Sequence, residues 1–332
     1  MKIGLLGLGR MGAGIARRLM GAGHAVVGAD ADPAAVAGLT AEGLEGASDA
    51  ADLARRLHPP RIVWLMVPAT AVGEALEDLL PHLAPGDLLV DGGNSHFRDT
   101  VERGERLAEV GVELVDVGTS GGIFGREAGY CLMVGGPAAA VARLEPALDA
   151  LAPGVAAAAR TAGRTGEPAP EERGWLHCGG TGAGHYVKMV HNAIEYGLMA
   201  AYAEGFALLE RGSAGLAAGG APGELAPYRF DLPLDRIAEL WRRGSVIRSW
   251  LLDLAAAALR ADPGLAGYRG RVGDSGEGRW ALRASLDLGV PMPVTAAALF
   301  DRFESRGEGE FAHRLLSALR HAFGGHEEPC RR

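Results

Sequence analysis

The residues from Gly184 to Gly197 read GHYVKMVHNAIEYG and crowd five polar groups into a stretch otherwise composed like a buried helix. With Lys188 as position i, His191 falls at i+3, Asn192 at i+4, Glu195 at i+7 and Tyr196 at i+8. At about 3.6 residues per turn these five share one stripe, roughly two turns long. Val187, Val190 and Ile194 form a separate apolar row, so the spacing predicts an amphipathic helix. The polar stripe holds hydrogen-bonding and titratable groups in place of the Arg/Glu mixture that usually faces solvent. Of the 33 Lys and Arg residues only Lys2 and Lys188 are lysines, against 31 arginines. Arginine cannot serve as a base, because it keeps its proton at any accessible pH. Lysine can, once burial and nearby charge bring its pKa from about 10.4 toward about 7–8. The plainer reading, a solvated face with a chance lysine, does not account for the scarcity of lysine elsewhere.

A second constellation points to a nucleotide. GLLGLGRMGAGIA places Gly7, Gly9 and Gly12 in G-x-G-x-x-G spacing, closing an apolar strand and opening a helix. In that context the glycines let the backbone turn and approach a pyrophosphate seated on the helix N-terminus. Asp30 lies 21 residues after Gly9, at the end of the second apolar run. An acid there accepts hydrogen bonds from the adenosine ribose hydroxyls and repels a 2′-phosphate. Neither Ala31 nor Asp32 offers a cation for that phosphate, so NAD is expected over NADP.

These groups need a scaffold, and the first half of the chain supplies its pattern. Apolar runs occur at 2–6, 25–29, 62–67, 88–91, 112–117 and 130–134, with helical stretches near 10–22, 70–81 and 97–109. The alternation predicts a doubly wound α/β domain of Rossmann type: a parallel sheet with helices on both faces. Residues 161–174 read as a surface loop. After Gly184 the pattern is almost wholly helical, interrupted by a low-complexity stretch at 212–233 that reads as a mobile loop. The expected organisation is a dinucleotide-binding domain over 1–180 and an all-α domain over 181–332.

Composition bounds the rest. The 332 residues are 48% apolar, enough for two cores, and the formal net charge of -8 argues against a nucleic-acid partner. Cys131, Cys178 and Cys330 are too widely spaced for a metal cluster and read as reduced thiols. No metal-binding motif is evident. No apolar run reaches the roughly 18 residues of a membrane span, and no signal segment precedes the first strand, so a cytoplasmic protein is expected. His177 and Cys178 read as structural, His96 as either surface or cofactor-facing, and Trp241, Trp250 and Trp280 as helix packing.

Four motifs together resemble the decarboxylating 6-phosphogluconate dehydrogenases, in their short bacterial form: GLGRMG, DGGNSHFRDT (91–100), DVGTSGGIFG (116–125) and GAGHYVKMVHNAIEYG. WRRGSVIRSWLLD (241–253) and RHAFGGH (320–326) extend the resemblance over nearly the whole chain. The resemblance implies cofactor contacts from Gly7, Gly9, Arg10, Met11, Gly12, Asp30, Val67 and Asn94. It implies Lys188 as the base at the substrate's 3-hydroxyl and Glu195 as the acid that protonates the decarboxylated carbon. Seven residues of helix separate them by roughly 10 Å, room for a sugar chain. Asn94, Ser120, Gly121, Gly122, His191 and Asn192 would bind carboxylate and hydroxyls. Tyr196 and Arg248 would bind phosphate, with Arg279 in place of the long form's lysine. Arg320 and His326 match a tail that enters the partner subunit's site, implying a homodimer or homotetramer.

The chain is shorter than the long-form enzymes and carries Thr181 where a proline is expected. Another β-hydroxyacid dehydrogenase, of 3-hydroxyisobutyrate or tartronate-semialdehyde type, would share the glycine loop, the S-G-G segment and the helix lysine. It would have no need of Glu195 as a proton donor or of arginines for phosphate. A catalytically silent NAD-binding protein would need neither Lys188 nor Glu195.

Overall fold

The computed structural model describes residues 1–213 and 230–324, so most of the 212–233 stretch and His326 lie outside the described residues. The chain divides into two compact units, Met1–Val190 and His191–Arg332.

In the first unit, eight strands form one sheet in the order β3-β2-β1-β4-β5-β6-β7-β8. They are β1 (Lys2–Leu6), β2 (Ala25–Ala29), β3 (Glu45–Gly46), β4 (Ile62–Leu65), β5 (Leu88–Asp91), β6 (Glu113–Ser120), β7 (Cys131–Gly135) and β8 (Trp175–Gly179). The helices of this unit are α1 (Arg10–Gly21), α2 (Pro33–Thr40), α3 (Ala50–Arg56), α4 (Val72–Leu79) and α5 (Phe97–Glu109). They continue as α6 (Gly125–Ala128), α7 (Ala138–Leu151) and α8 (Pro170–Arg173). Side chains alternate across each strand, so Ile62 and Trp64 of β4 join one core while Val63 and Leu65 join the other. The first core also holds Ile15 and Leu19 of α1 and Leu144 of α7; the second holds Leu53 of α3 and Leu76 of α4. Covering both faces is what turns these strands into unbroken apolar runs.

The expectation of a parallel sheet holds from β3 through β6 and fails beyond it. β7 pairs with β6 antiparallel, Asp116 opposite Gly135 and Ser120 opposite Cys131, and β8 then pairs with β7 in parallel. Only residues 121–130 connect β6 to β7. That is too short for a parallel crossover, which needs a dozen or more residues. Residues 161–169 carry no regular secondary structure and are largely exposed, as expected of a surface loop, and α8 covers 170–173. Arg160 and Arg164 form ion pairs with Glu172 and Glu171, and Glu172 also accepts the Ala169 N–H at 3.0 Å.

Among its described residues, all regular elements of the second unit are helices. α9 (Ala183–Ser213) is a continuous helix of 31 residues that begins in the first unit. It is followed by α10 (Leu234–Arg242), α11 (Trp250–Ala261), α12 (Glu277–Leu288), α13 (Pro293–Ser305) and α14 (Glu310–Gly324). One small core joins Ala238, Leu252, Ala256 and Leu259 to Tyr202, Phe206 and Trp241. Another joins Tyr196, Ala298 and Leu299 to Ala200, Leu282 and Phe303. The division between the units falls inside α9, whose opening turns pack on the sheet at Gly118 and Gly184. No helix among the described residues is long and apolar enough to cross a membrane.

Candidate active site

The glycine loop is shaped by contacts that exclude side chains. Gly7 has φ +98°, and a Cβ there would lie 2.7 Å from the Met66 carbonyl carbon. A Cβ on Gly12 would collide with the Gly7 carbonyl oxygen, so the first turn of α1 can close on the strand only with glycine. At Gly9, the residue before α1, a Cβ would meet nothing within 4 Å. No side chain caps this helix start, and its first N–H groups face forward. This cradle fits a dinucleotide pyrophosphate. Asp30 is held against the loop: one oxygen accepts the Leu8 N–H at 2.5 Å and the other the Asp32 N–H at 2.8 Å. Arg10 is exposed beside the cradle, and Met11 and Val67 are half-buried.

Two buried acids build the rest of the site in this unit. Asp91, 1% exposed at the end of β5, accepts from Ser95 Oγ at 2.8 Å and from the Gly93 N–H at 3.1 Å. These bonds fold the GGNS loop so that Ser95 is buried and Asn94 exposed. Asp116 on β6 is fully buried and accepts the Gly182 and His185 N–H groups at 2.6 and 2.8 Å. It thereby satisfies orphan donors at the start of α9 and fixes where that helix begins. His185, also buried, meets Thr100 Oγ1 at 2.8 Å. Gly184 lets α9 press on the strands, its missing Cβ avoiding the Met133 carbonyl oxygen. Gly118 of β6 admits Lys188, whose own Cβ fills the space a side chain would need. Two residues further, Ser120 ends β6, and Gly121 and Gly122 follow at φ +127° and +53°.

In the second unit His191 and Asn192 of the α9 stripe form a hydrogen-bonded chain with Glu277. His191 Nδ1 lies 2.9 Å from Asn192 Oδ1 and 3.8 Å from Glu195 Oε2. Asn192 Nδ2 donates to Glu277 Oε1 at 3.0 Å. Tyr196 is buried, its ring against Gly278, with the Arg302 guanidinium 3.5 Å from the ring centroid. Burial and the Glu277 carboxylate push the Tyr196 phenol up, and Arg302 acts in the opposite direction. Arg279 is bound through two nitrogens to Asp274, at 2.8 and 3.1 Å, and packs 4.5 Å from the Phe303 ring centroid. Arg248 is exposed between α10 and α11, and Arg320 is exposed on α14. His177 on β8 meets the Gly136 carbonyl at 2.8 Å, a bond internal to the sheet edge.

The apolar row of α9 behaves differently from a core stripe: Ile194 is 60% exposed and Val187 38%. Arg302 and Glu277 escape a sequence reading, because each acquires its meaning only from the helix opposite it. The closeness of Glu277 to the singled-out Arg279 is the only local signal.

Residues 2–159 match the family described as the NAD binding domain of 6-phosphogluconate dehydrogenase, and residues 184–218 match its C-terminal domain. The chain is 42% identical over 329 residues to an NAD(+)-dependent, decarboxylating 6-phosphogluconate dehydrogenase of Haloferax volcanii, covering 98% of each. A longer enzyme of the same description from Bacillus subtilis is 31% identical over 91% of this chain and 61% of its own length. The fold is also that of Plasmodium falciparum 6-phosphogluconate dehydrogenase, with TM-score 0.75 and 24% identity over the whole of this chain and 67% of that one. Full-length similarity of this degree, on a cradle, a capped helix and a polar stripe of this geometry, shows that the chain belongs to the 6-phosphogluconate dehydrogenase family.

Proposed function

We propose that this protein oxidises and decarboxylates 6-phosphogluconate to ribulose 5-phosphate and carbon dioxide, reducing NAD. The observation that carries the reading is α9 itself, unbroken through both Lys188 and Glu195. The Gly7–Gly12 cradle and Asp30 fit NAD, which when bound supplies the acceptor for the hydride leaving the third carbon. Lys188 removes the proton of the 3-hydroxyl. In the resulting 3-keto acid, the carbonyl takes up the electron pair of the breaking bond to the carboxylate. Protonated Lys188 then donates a hydrogen bond to that oxygen as negative charge grows on it. Glu195 delivers a proton to the carbon that lost the carboxylate.

Asn94, Ser120, Gly121, Gly122, His191 and Asn192 hold the carboxylate and hydroxyls, and Tyr196, Arg248 and Arg279 the phosphate. Arg302 joins them, since a phosphate reaching Tyr196 meets its guanidinium, and charge-assisted hydrogen bonds are what a dianion requires. Arg320 and His326 complete the site of a partner subunit. Exposed apolar residues support a homodimer or homotetramer: Phe311 is 77% exposed on α14 and Val294 68% on α13. The substrate is a small phosphosugar acid of central metabolism, in the pentose phosphate route or gluconate use, which suits a cytoplasmic location and no nucleic-acid partner. The test is reduction of NAD and of NADP with 6-phosphogluconate. Turnover favouring NAD is expected. Turnover of 3-hydroxyisobutyrate in preference to 6-phosphogluconate would replace this reading with the other β-hydroxyacid one.

A further inference from the structure

Asp116 pins the start of α9 to the sheet, and one anchoring point leaves the roll of a helix to packing alone. A second tie, to a different element, comes from His185. Its ring is buried, and Nδ1 lies 2.8 Å from Oγ1 of Thr100, itself fully buried in the first turn of α5. Nε2 has no hydrogen-bond partner among the described residues, which leaves Thr100 as the side chain that orients the ring. With both ends shut off from solvent, water does not stand in for a lost member of the pair. On the same junction Phe97 meets Tyr186 edge-on, with ring centroids 5.1 Å apart. Gly182 admits Val101 there, since a Cβ on the glycine would lie 2.7 Å from Val101 Cγ2. α5 follows the loop that exposes Asn94, and Lys188 stands three residues beyond His185, about 60° around α9.

We infer that His185 is a positioning residue: through Thr100 it fixes the roll of α9 against α5, and so the distance of Lys188 from the Asn94 loop. This rests on the reading of Lys188 as the base and of Asn94 as a cofactor and substrate contact. The proton and the hydride leave neighbouring atoms of one alcohol, so an amine displaced by about 1 Å slows that step steeply. The glycine cradle and the phosphate contacts need not change, so binding is preserved while the chemical step slows. Valine at 100 keeps the shape of threonine and removes the hydroxyl. Leucine at 185 removes the ring nitrogen and leaves Thr100 Oγ1 bonded to the His96 carbonyl at 3.2 Å.

The experiment is a single-turnover measurement of NADH formation, with full-length enzyme in excess over 6-phosphogluconate and NAD saturating. Its limiting rate constant does not depend on what fraction of the enzyme is folded, so a merely structural loss leaves it unmoved. Thr100→Val and His185→Leu are each expected to lower that constant about 10–100-fold. The dissociation constants of 6-phosphogluconate and NAD should stay within about twofold of wild type. Thr100→Ser, which keeps the hydroxyl, should restore the rate. An unaltered rate constant in Thr100→Val or in His185→Leu, or a slow Thr100→Ser enzyme, overturns the inference. If one of the first two variants does not fold, the other decides together with Thr100→Ser. A wild type that forms no NADH from 6-phosphogluconate but oxidises 3-hydroxyisobutyrate would instead sink the functional reading. The same comparison on that substrate, a reaction that would share the helix lysine, then decides the inference.

Discussion

At the scale of residues, the proposed chemistry needs an amine able to hold and release a proton next to a carbon that loses hydride. Lys188 is set at a close approach of helix and strand, where Gly118 yields space for its stem. Methionine would preserve that packing and remove the proton acceptor. Lys188→Met is therefore expected to lower kcat by at least about 10²–10⁴-fold, with NAD affinity unaltered by titration calorimetry. Activity near the wild-type level in that variant would eliminate Lys188 as the base. Lys188, Glu195 and Asp30 could be proposed from the sequence because each stands in a local motif with a chemical signature. Arg302 could not, since an arginine among 31 carries no signal until the ring of Tyr196 is found beneath it. Arg279, the expected counterpart of a phosphate-binding lysine, is tied to Asp274, a commitment that no spacing rule could disclose.

At the scale of elements, the start of α9 depends on Asp116 more than on any residue of the helix itself. Asp116→Ala leaves the Gly182 and His185 N–H groups buried without acceptors. Unsatisfied groups of this kind cost about 1–3 kcal/mol each. Denaturant unfolding should accordingly show a loss of about 2–5 kcal/mol, and a change below about 0.5 kcal/mol would mean α9 is anchored otherwise. A pH effect follows at α8. Hydrogen bonds from Arg160, then from the Ala169 N–H, hold the Glu172 carboxyl down to about 2. A lowered folded pKa means the clamp is fully present above the ordinary carboxylate value and is lost as pH falls through about 2. Hydrogen exchange at Ala169 should stay slow down to about pH 3 and quicken below it; acceleration already near pH 4.5 would contradict the assignment. Strand positions up to β6, apart from the two-residue β3, were readable from apolar runs closed by turn residues. The reversal at β7 was not, because direction is decided by connection length and not by the strand's own residues. β8 was missed for a related reason: half-buried His177 and Cys178 interrupt its apolar pattern.

At the scale of the whole molecule, each compact unit leaves something for a neighbour to cover. Val187 and Ile194 of the apolar row on α9 are exposed, as are Phe311, Leu315 and Leu316 on α14. Their placement is explained if a second copy of the chain covers them. Light scattering should give a dimer or tetramer, and replacing Phe311 and Leu315 together with glutamate should yield a monomer with turnover reduced at least about tenfold. A fully active monomer would eliminate the proposed contribution of a partner's Arg320 and His326. Decarboxylation separates the proposed reaction from that of a simple hydroxyacid dehydrogenase. With 6-phosphogluconate and NAD, carbon dioxide and NADH should be released in equal molar amounts, along with ribulose 5-phosphate. NADH accumulating without carbon dioxide would contradict it and leave a simple hydroxyacid dehydrogenase in its place.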